Sequence, residues 1–202
     1  MKKITCTTAM LAGICCLMGV AYAEQITPAE QEHARQYLAE TRQGVLDAVK
    51  GLSDTQWNFK PAPDRWSIAQ IVEHLAITEE VVQTVFQKLP EAPAPSAERD
   101  PRQVDTLILA KVPDRSSKVQ APPPLLPTGR WTPQVALEHF LEYRQQTVSF
   151  LQSGSNLREH VIDHPVLGPL DGYQWVLTVA AHTERHMKQI LEVKSDPHFP
   201  AK

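Results

Sequence analysis

Cysteine is nearly absent from this sequence. The three cysteines, Cys6, Cys15 and Cys16, all lie near the start of the 202-residue chain, so the remainder has no thiol. That absence excludes a disulfide framework of the kind that stabilises small exported domains. Stability must therefore come from a packed core, and the 179 residues after Ala23 are enough for one domain with such a core.

The chain also lacks an apolar run long enough to span a bilayer. The apolar run at residues 9–20 is shorter than the roughly 20 residues that a transmembrane helix needs. It follows the basic start M-K-K and precedes the small-x-small sequence A-Y-A, which is typical of a secretory signal peptide cleaved near Ala23. None of the cysteines follows a small residue, which argues against lipid attachment. We therefore predict a signal peptide at residues 1–23 and, at residues 24–202, one periplasmic or secreted domain without a stable membrane anchor.

An excess of basic charge is missing as well. The formal net charge is −3, and removal of Lys2 and Lys3 with the signal peptide makes it −5. A mildly acidic surface argues against nucleic acid as a partner. Internal repeats and sustained strand-like alternation are not found either, which leaves helices as the main elements.

Four stretches begin with a helix N-terminal signal and continue with an apolar stripe at helical spacing. Thr27 and Thr132 each precede a proline, and Ser67 and Asp171 each precede a glutamine by three residues, as in a capping box. The predicted helices run from Thr27 to near Gly51, from Ser67 to Pro90, from Thr132 to Gly154, and from Asp171 through Val193.

The connections between these helices differ in length. A short loop, Ser53 to Arg65, places Trp57 and Phe59 where they would fill the end of a bundle. From Pro90 to Pro133 the chain has ten of its 17 prolines and one apolar segment that predicts a short helix. This Pro-rich crossover is interpreted either as a lid over a site or as a packing arm. The predicted fold is all-α, a four-helix bundle with a long Pro-rich crossover between helices 2 and 3.

Two histidines in the last helix are the first candidates for a functional site. His182 and His186 lie four residues apart on one helical face, on a largely apolar stripe where unpartnered imidazoles would be costly. The spacing H-x-x-x-H also occurs on ordinary helices, so it does not establish metal binding by itself. Glu184 lies on the opposite face, and we expect it to pair with Lys188 rather than act as a base.

His74 is the third candidate, because it lies at the edge of the apolar stripe of helix 2 and would face helix 4 across a bundle. Three neutral imidazoles leave coordination positions open, which suits a zinc or nickel ion with bound water. By helical angle, Gln70, Thr78 and Gln189 lie near these histidines and are placed to orient the metal-bound water, although core-edge polar residues more often cap a neighbour or contact solvent.

The remaining histidines and polar residues give weaker signals. His33, His139 and His198 occupy positions where contact with solvent is the simpler interpretation. Arg130 and Trp131 follow the Pro-rich run, and the sequence does not distinguish substrate binding from packing at a helix start.

Four segments of the sequence together resemble the DinB/YfiT metal-binding superfamily. They are F-K-P-A-P-D-R-W-S-I-A-Q-I-V-E-H-L, A-P-P-P-L-L-P-T-G-R-W, H-P-V-L-G-P-L-D-G-Y-Q-W and A-H-T-E-R-H-M-K-Q-I. The resemblance implies a four-helix bundle and a three-histidine metal centre made by His74, His182 and His186. It implies less about the reaction, since that superfamily contains transferases and isomerases that use low-molecular-weight thiols and many proteins without an established activity.

Three functions stay open at this point. The first is an exported metal-dependent hydrolase that uses metal-activated water, which needs no thiol cofactor. The second is a metal-dependent thiol S-transferase, and the third is a non-enzymatic metal-binding bundle, which a fourth ligand such as His164 would favour. Exposed apolar residues on the Pro-rich crossover would permit a homodimer, but nothing in the sequence requires one.

Overall fold

The structure is a computed structural model that describes residues 25–154 and 156–201. The predicted signal peptide, residues 1–23, lies outside the described residues. Four long helices form the bundle, with two short helices and a β-hairpin in the connections. In chain order the elements are α1 (Pro28–Val49), α2 (Asp54–Asn58), α3 (Ile68–Lys88), α4 (Pro101–Lys111), α5 (Pro133–Ser153), β1 (Val161–His164), β2 (Gly168–Asp171) and α6 (Gly172–Lys194).

The predicted caps are the observed starts of the four long helices. Thr27, Ser67, Thr132 and Asp171 are the N-cap residues of α1, α3, α5 and α6, and each side chain accepts a hydrogen bond from a backbone N–H in the first turn. At Thr27, Ser67 and Asp171 the reciprocal bond of the capping box is also present. Local sequence therefore determines where each helix of the bundle begins.

Within the bundle, α3 packs mainly against α5 and α6, and α1 packs mainly against α6. At the centre of the core, Arg144 and Glu79 form a fully buried ion pair. The Arg144 guanidinium also donates to the Leu38 carbonyl and to the hydroxyls of Thr41 and Thr183. This pair therefore joins all four long helices through hydrogen bonds.

The end of the bundle near α2 is closed by aromatic residues, as predicted. Trp57 is buried, and Phe59 packs edge-on against Phe199 with ring centroids 5.5 Å apart. This cluster also contains Ile68 at the start of α3 and Val193 near the end of α6. The two helices that carry the candidate histidines are thus held together at this end.

The Pro-rich crossover contains the predicted short helix as α4, which packs on α6. After α4 the crossover runs across the bundle from the surface of α6 to that of α3, and hydrogen bonds hold it to both helices. Arg185 on α6 donates to the backbone carbonyls of Asp114 and Ser117, whereas the Glu73 carboxylate on α3 accepts from the turn at residues 128–130.

The β-hairpin was not predicted from the sequence. Its strands pair antiparallel, with Val161 opposite Asp171 and His164 opposite Gly168. Each strand has only four residues, too few for alternation to be recognised in the sequence. Gly168 has φ +73°, which a glycine adopts without strain where the turn enters β2. Because β2 ends at the N-cap Asp171, the hairpin sets the start of α6.

Among the described residues, none of the helices combines the length and the apolar character needed to cross a membrane.

Candidate metal centre

The three candidate histidines lie together at the interface of α3 and α6. The Nε2 atom of His182 is 3.1 Å from Nε2 of His74 and 3.1 Å from Nε2 of His186. One ring nitrogen from each histidine lies within 4.8 Å of the others. One helical turn separates His182 from His186, and the packing of α3 on α6 brings His74 to the same point.

The second nitrogen of two of these rings has a fixed role. His74 Nδ1 lies 2.6 Å from the carbonyl oxygen of Leu125, which can only accept, so Nδ1 carries the proton. His186 Nδ1 lies 2.8 Å from Oε1 of Gln189 and donates to it in the same way. Both rings therefore present an unprotonated Nε2 to His182, as metal-binding histidines commonly do.

This arrangement of donors fits a metal ion. Two lone pairs, on His74 and His186, face one nitrogen of His182, and a single N–H can satisfy only one of them. An ion accepts electron pairs from all three nitrogens. Two nitrogens about 2.1 Å from one ion are separated by roughly 3.0 Å at a right angle and about 3.4 Å at the tetrahedral angle. The observed separations of 3.1 Å lie within that range.

All three imidazoles are held neutral. Burial and the neighbouring rings of His186 and His74 lower the pKa of His182 well below its ordinary value. Burial and His74 do the same for the pKa of His186, and burial lowers the pKa of His74 despite its bond to Leu125. Neutral imidazole is the form that binds a metal. His182 is partly exposed, whereas His74 and His186 are buried.

Trp66 forms one side of the cluster and was not among the predicted site residues. Its ring centroid lies 4.9 Å from that of His74 and 6.3 Å from that of His186. It directly precedes Ser67, the N-cap of α3, so the start of that helix also positions the indole. Its place in the phrase P-D-R-W-S-I was the only available signal in the sequence.

Glu73 is a second residue that the sequence did not predict. Its carboxylate is 3 % exposed and accepts from the backbone N–H groups of Thr128, Gly129 and Arg130, at 2.9–3.2 Å, and from the Thr128 hydroxyl. This turn follows Leu125 by three residues. Glu73 therefore anchors the segment whose carbonyl fixes the tautomer of the adjacent His74.

The three residues predicted to orient bound water have different surroundings. Gln189 contacts a candidate ligand directly, through Nδ1 of His186. Gln70 accepts from the backbone N–H of Ser67 in the capping box, and the Thr78 hydroxyl donates to the carbonyl oxygen of His74. Their role toward a bound water stays a prediction.

His164 is not part of the cluster. Its Nδ1 accepts from the backbone N–H groups of Val166 and Leu167, and its ring lies on Trp175. Among the described residues, the cluster consists of His74, His182 and His186. With three protein ligands, coordination positions on a bound ion stay open.

The other histidines that were set aside lie elsewhere, and two of the three are exposed as expected. His33 is exposed beside Tyr37, His198 is exposed near the C-terminus, and His139 is half-buried against Trp131. Glu184 forms the expected ion pair with Lys188, at 2.6 Å.

Arg130 and Trp131 interact with each other and with α3 and α5. The guanidinium of Arg130 lies 3.7 Å from the Trp131 ring centroid and pairs with Glu80. Trp131 packs against His139 and against the core cluster that contains Trp57 and Ile68. These contacts correspond to the packing interpretation of the two residues.

Comparison with known proteins identifies the family. The sequence model of the DinB superfamily matches residues 37–190, which include all three histidines of the cluster. The chain belongs to the DinB superfamily. This DinB protein is also 28 % identical over 158 residues to the uncharacterized protein YuaE of Bacillus subtilis (strain 168), a match that covers 77 % of this chain and 93 % of YuaE.

Two solved structures share the fold of this DinB protein. YfiT from Bacillus subtilis, described as a probable metal-dependent hydrolase with an unusual four-helix bundle topology, aligns with a TM-score of 0.59 at 16 % identity and covers 85 % of this chain and 89 % of YfiT. TT2238, a four-helix bundle protein, aligns with a TM-score of 0.50 at 15 % identity, over 80 % of this chain and 98 % of TT2238. The predicted four-helix bundle and the predicted family are confirmed, and the three-histidine cluster fits a metal-binding DinB protein.

Proposed function

We propose that this DinB protein is a metal-dependent hydrolase whose ion is held by His74, His182 and His186. The observation that carries the proposal is the convergence of three Nε2 atoms, of which two are unprotonated because their Nδ1 atoms donate to Leu125 and Gln189. A divalent ion with open positions supplies Lewis acidity and an activated water, which is the chemistry of hydrolysis.

The protein's own residues hold the site in place and limit access to it. His74 and His186 are fixed by their Nδ1 bonds, and Trp66 covers the rings from one side. The partly exposed His182 marks the accessible side, where a substrate would approach. YfiT, which shares the fold, is described as a probable metal-dependent hydrolase, and this description also favours hydrolysis.

Elemental analysis of tag-free protein tests metal binding. We expect about one divalent ion, zinc or nickel, per chain, and its loss in His74→Ala and His186→Ala. His139→Ala is a matched control, since that partly buried imidazole lies against Trp131 outside the cluster. Wild-type protein without stoichiometric metal would overturn the proposal.

The reaction is tested with small activated esters. Hydrolysis should disappear on chelation, return with added zinc or nickel, and be absent in His186→Ala. A titration with glutathione separates hydrolysis from thiol transfer, because tight metal-dependent binding of the thiol would favour a transferase instead.

We further propose that the protein is exported. The support is the basic start, apolar run and A-Y-A ending within residues 1–23. Expression of the full chain with mass analysis of the extracytoplasmic fraction should give a product that begins near Glu24, and an uncleaved intracellular product would contradict export.

A further inference from the structure

The candidate metal ligands of α6 continue a polar stripe that begins two turns earlier in the same helix. Trp175 and Thr178 precede His182 by seven and four residues and lie on the same helical face. At 1.5 Å per residue, Thr178 is roughly 6 Å from His182 along the helix axis and Trp175 is roughly 10 Å from it. Both side chains are 7 % exposed.

Each of these two side chains has a buried polar atom without a partner. Among the described residues, Nε1 of Trp175 and Oγ1 of Thr178 are the buried side-chain nitrogen and oxygen atoms that have no hydrogen-bond partner. Buried polar groups in proteins are nearly always paired, so an unpaired group calls for a ligand or a water. Here two such groups lie three residues apart, and the nearer of them, on Thr178, is about one turn from His182.

The hydroxyl of Thr178 differs from those of comparable threonines in this protein. A helical threonine commonly donates to the carbonyl four residues before it. That bond is made by Thr41, Thr78, Thr84, Thr106, Thr147 and Thr183. Thr178 does not make it, so its hydroxyl is not occupied by its own helix.

His164 of the hairpin adds a third polar group. Its ring centroid lies 5.3 Å from that of Trp175. Because its Nδ1 accepts from the N–H groups of Val166 and Leu167, the ring proton is on Nε2. Burial lowers the pKa of His164, which favours the neutral ring with its proton on Nε2.

These three groups have one chemistry in common. The indole N–H and the imidazole Nε2–H can only donate, and the threonine hydroxyl can donate. A neutral site of donors is complementary to an oxygen that accepts hydrogen bonds. We propose that Trp175, Thr178 and His164 form a subsite beside the histidine cluster that binds a carbonyl-type oxygen of the substrate, from an amide, ester or carboxylate group.

The proposal rests on the proposed function, since the bound oxygen belongs to the substrate of the metal centre. Such a subsite favours an elongated carbonyl compound, in which the acceptor oxygen lies roughly 6–10 Å from the group that reacts.

The test uses chelated, ¹⁵N-labelled protein and the indole N–H resonance of Trp175, assigned by its loss in Trp175→Phe. Titration with acetamide, and separately with acetate, should move this resonance to saturation with at least one probe. Saturation with acetamide alone identifies an amide or ester carbonyl, and saturation with acetate alone identifies a carboxylate.

Thr178→Val should weaken this binding at least ten-fold while leaving the urea midpoint of unfolding unchanged or higher, because the hydroxyl has no partner in the free protein. Thr84→Val is the control and should not change binding. It removes an exposed hydroxyl of α3 that donates a hydrogen bond to the backbone carbonyl oxygen of Glu80.

Absence of a saturating shift with either probe would overturn the subsite, and so would a Thr178→Val protein that binds as wild type but unfolds at lower urea. The same titration repeated in the presence of zinc distinguishes the subsite proposal from the metal-centre proposal. A saturating probe shift in a protein that binds no zinc overturns the metal centre alone, whereas zinc binding without any probe shift overturns the subsite alone.

Discussion

His74 donates a hydrogen bond of 2.6 Å from Nδ1 to the carbonyl oxygen of Leu125, 51 residues further along the chain. Leu125 lies in the Pro-rich crossover, so that segment is connected to a candidate metal ligand. This contact corresponds to the interpretation of the crossover as a packing arm, and its interpretation as a lid stays a prediction. The crossover packs at the site, and its backbone sets which nitrogen of His74 is free to bind.

Replacement of the partner of His186 should weaken metal binding. Gln189→Leu removes the acceptor of the Nδ1 proton, which orients the ring. Loss of such a group typically lowers metal affinity about 10- to 100-fold. Competition with a zinc-sensitive dye measures the change, with the exposed Gln134→Leu of α5 as control. Equal zinc affinity in the two variants would mean that Gln189 does not position the ring.

Neutralisation of Glu73 should loosen the crossover. Glu73→Gln replaces one of the oxygens that accept from the turn at residues 128–130, and the cost should be about 1–3 kcal/mol in the free energy of unfolding. Amide exchange at Gly129 should become faster. Glu80→Gln is the control, because the partly exposed Glu80–Arg130 pair should contribute less than about 1 kcal/mol. Similar losses in both variants would contradict this anchoring role.

Disruption of the central ion pair should be among the most costly single changes. Arg144→Met leaves the buried Glu79 carboxylate without its cation, and such a change costs about 3–5 kcal/mol. In the double variant Glu79→Met with Arg144→Met, no charge is left unpaired, and much of that stability should return. Urea unfolding of wild type, Glu79→Met, Arg144→Met and the double variant gives the coupling, and additive losses would show that the pair does not act as a unit.

The metal-free protein should lose stability at acidic pH because of the cluster. Burial holds the pKa values of His74, His182 and His186 below the ordinary value of 6.5 in the folded state. Below pH 6.5 the unfolded chain therefore binds protons that the folded chain does not, and stability falls as the pH decreases. Above pH 6.5 the contribution is constant.

The slope of the free energy of unfolding against pH should reach at most about 1.4 kcal/mol per pH unit for each histidine. Urea midpoints with chelator between pH 8 and pH 5 measure it, and His182→Asn should reduce the slope. A wild-type midpoint that does not change over this range would contradict neutral burial of the rings.

The helices of this fold were predictable because their signals are local. Thr27, Ser67, Thr132 and Asp171 each cap the helix that they begin, and the apolar stripes that follow supply the faces that pack. The buried contact between Glu79 and Arg144 was not predicted, since it depends on how two helices pack. The short strands of the hairpin gave no recognisable period.

The candidate site was predictable only in part, for a similar reason. His182 and His186 share a turn of one helix, so their spacing could be read from the sequence. The position of His74 at the edge of an apolar stripe predicted that it faces them, and the resemblance to the family implied the same three residues. Leu125 contributes a backbone carbonyl, which any residue possesses, and Glu73 is anchored to a turn more than 50 residues away. Such long-range contacts leave no local pattern in a single sequence.

The pairing of His74 with His182 has a consequence for a chain whose described residues include no cysteine. These two residues are 108 positions apart in the sequence. An ion bound to both closes a loop of that length, and in the chain-entropy model a cross-link over about 100 residues stabilises a protein by roughly 4.7 kcal/mol. Such an ion would act as a cross-link that a chelator removes, whereas a disulfide is removed by a reductant. The lifetime of the folded protein would then depend on how much free metal its surroundings supply.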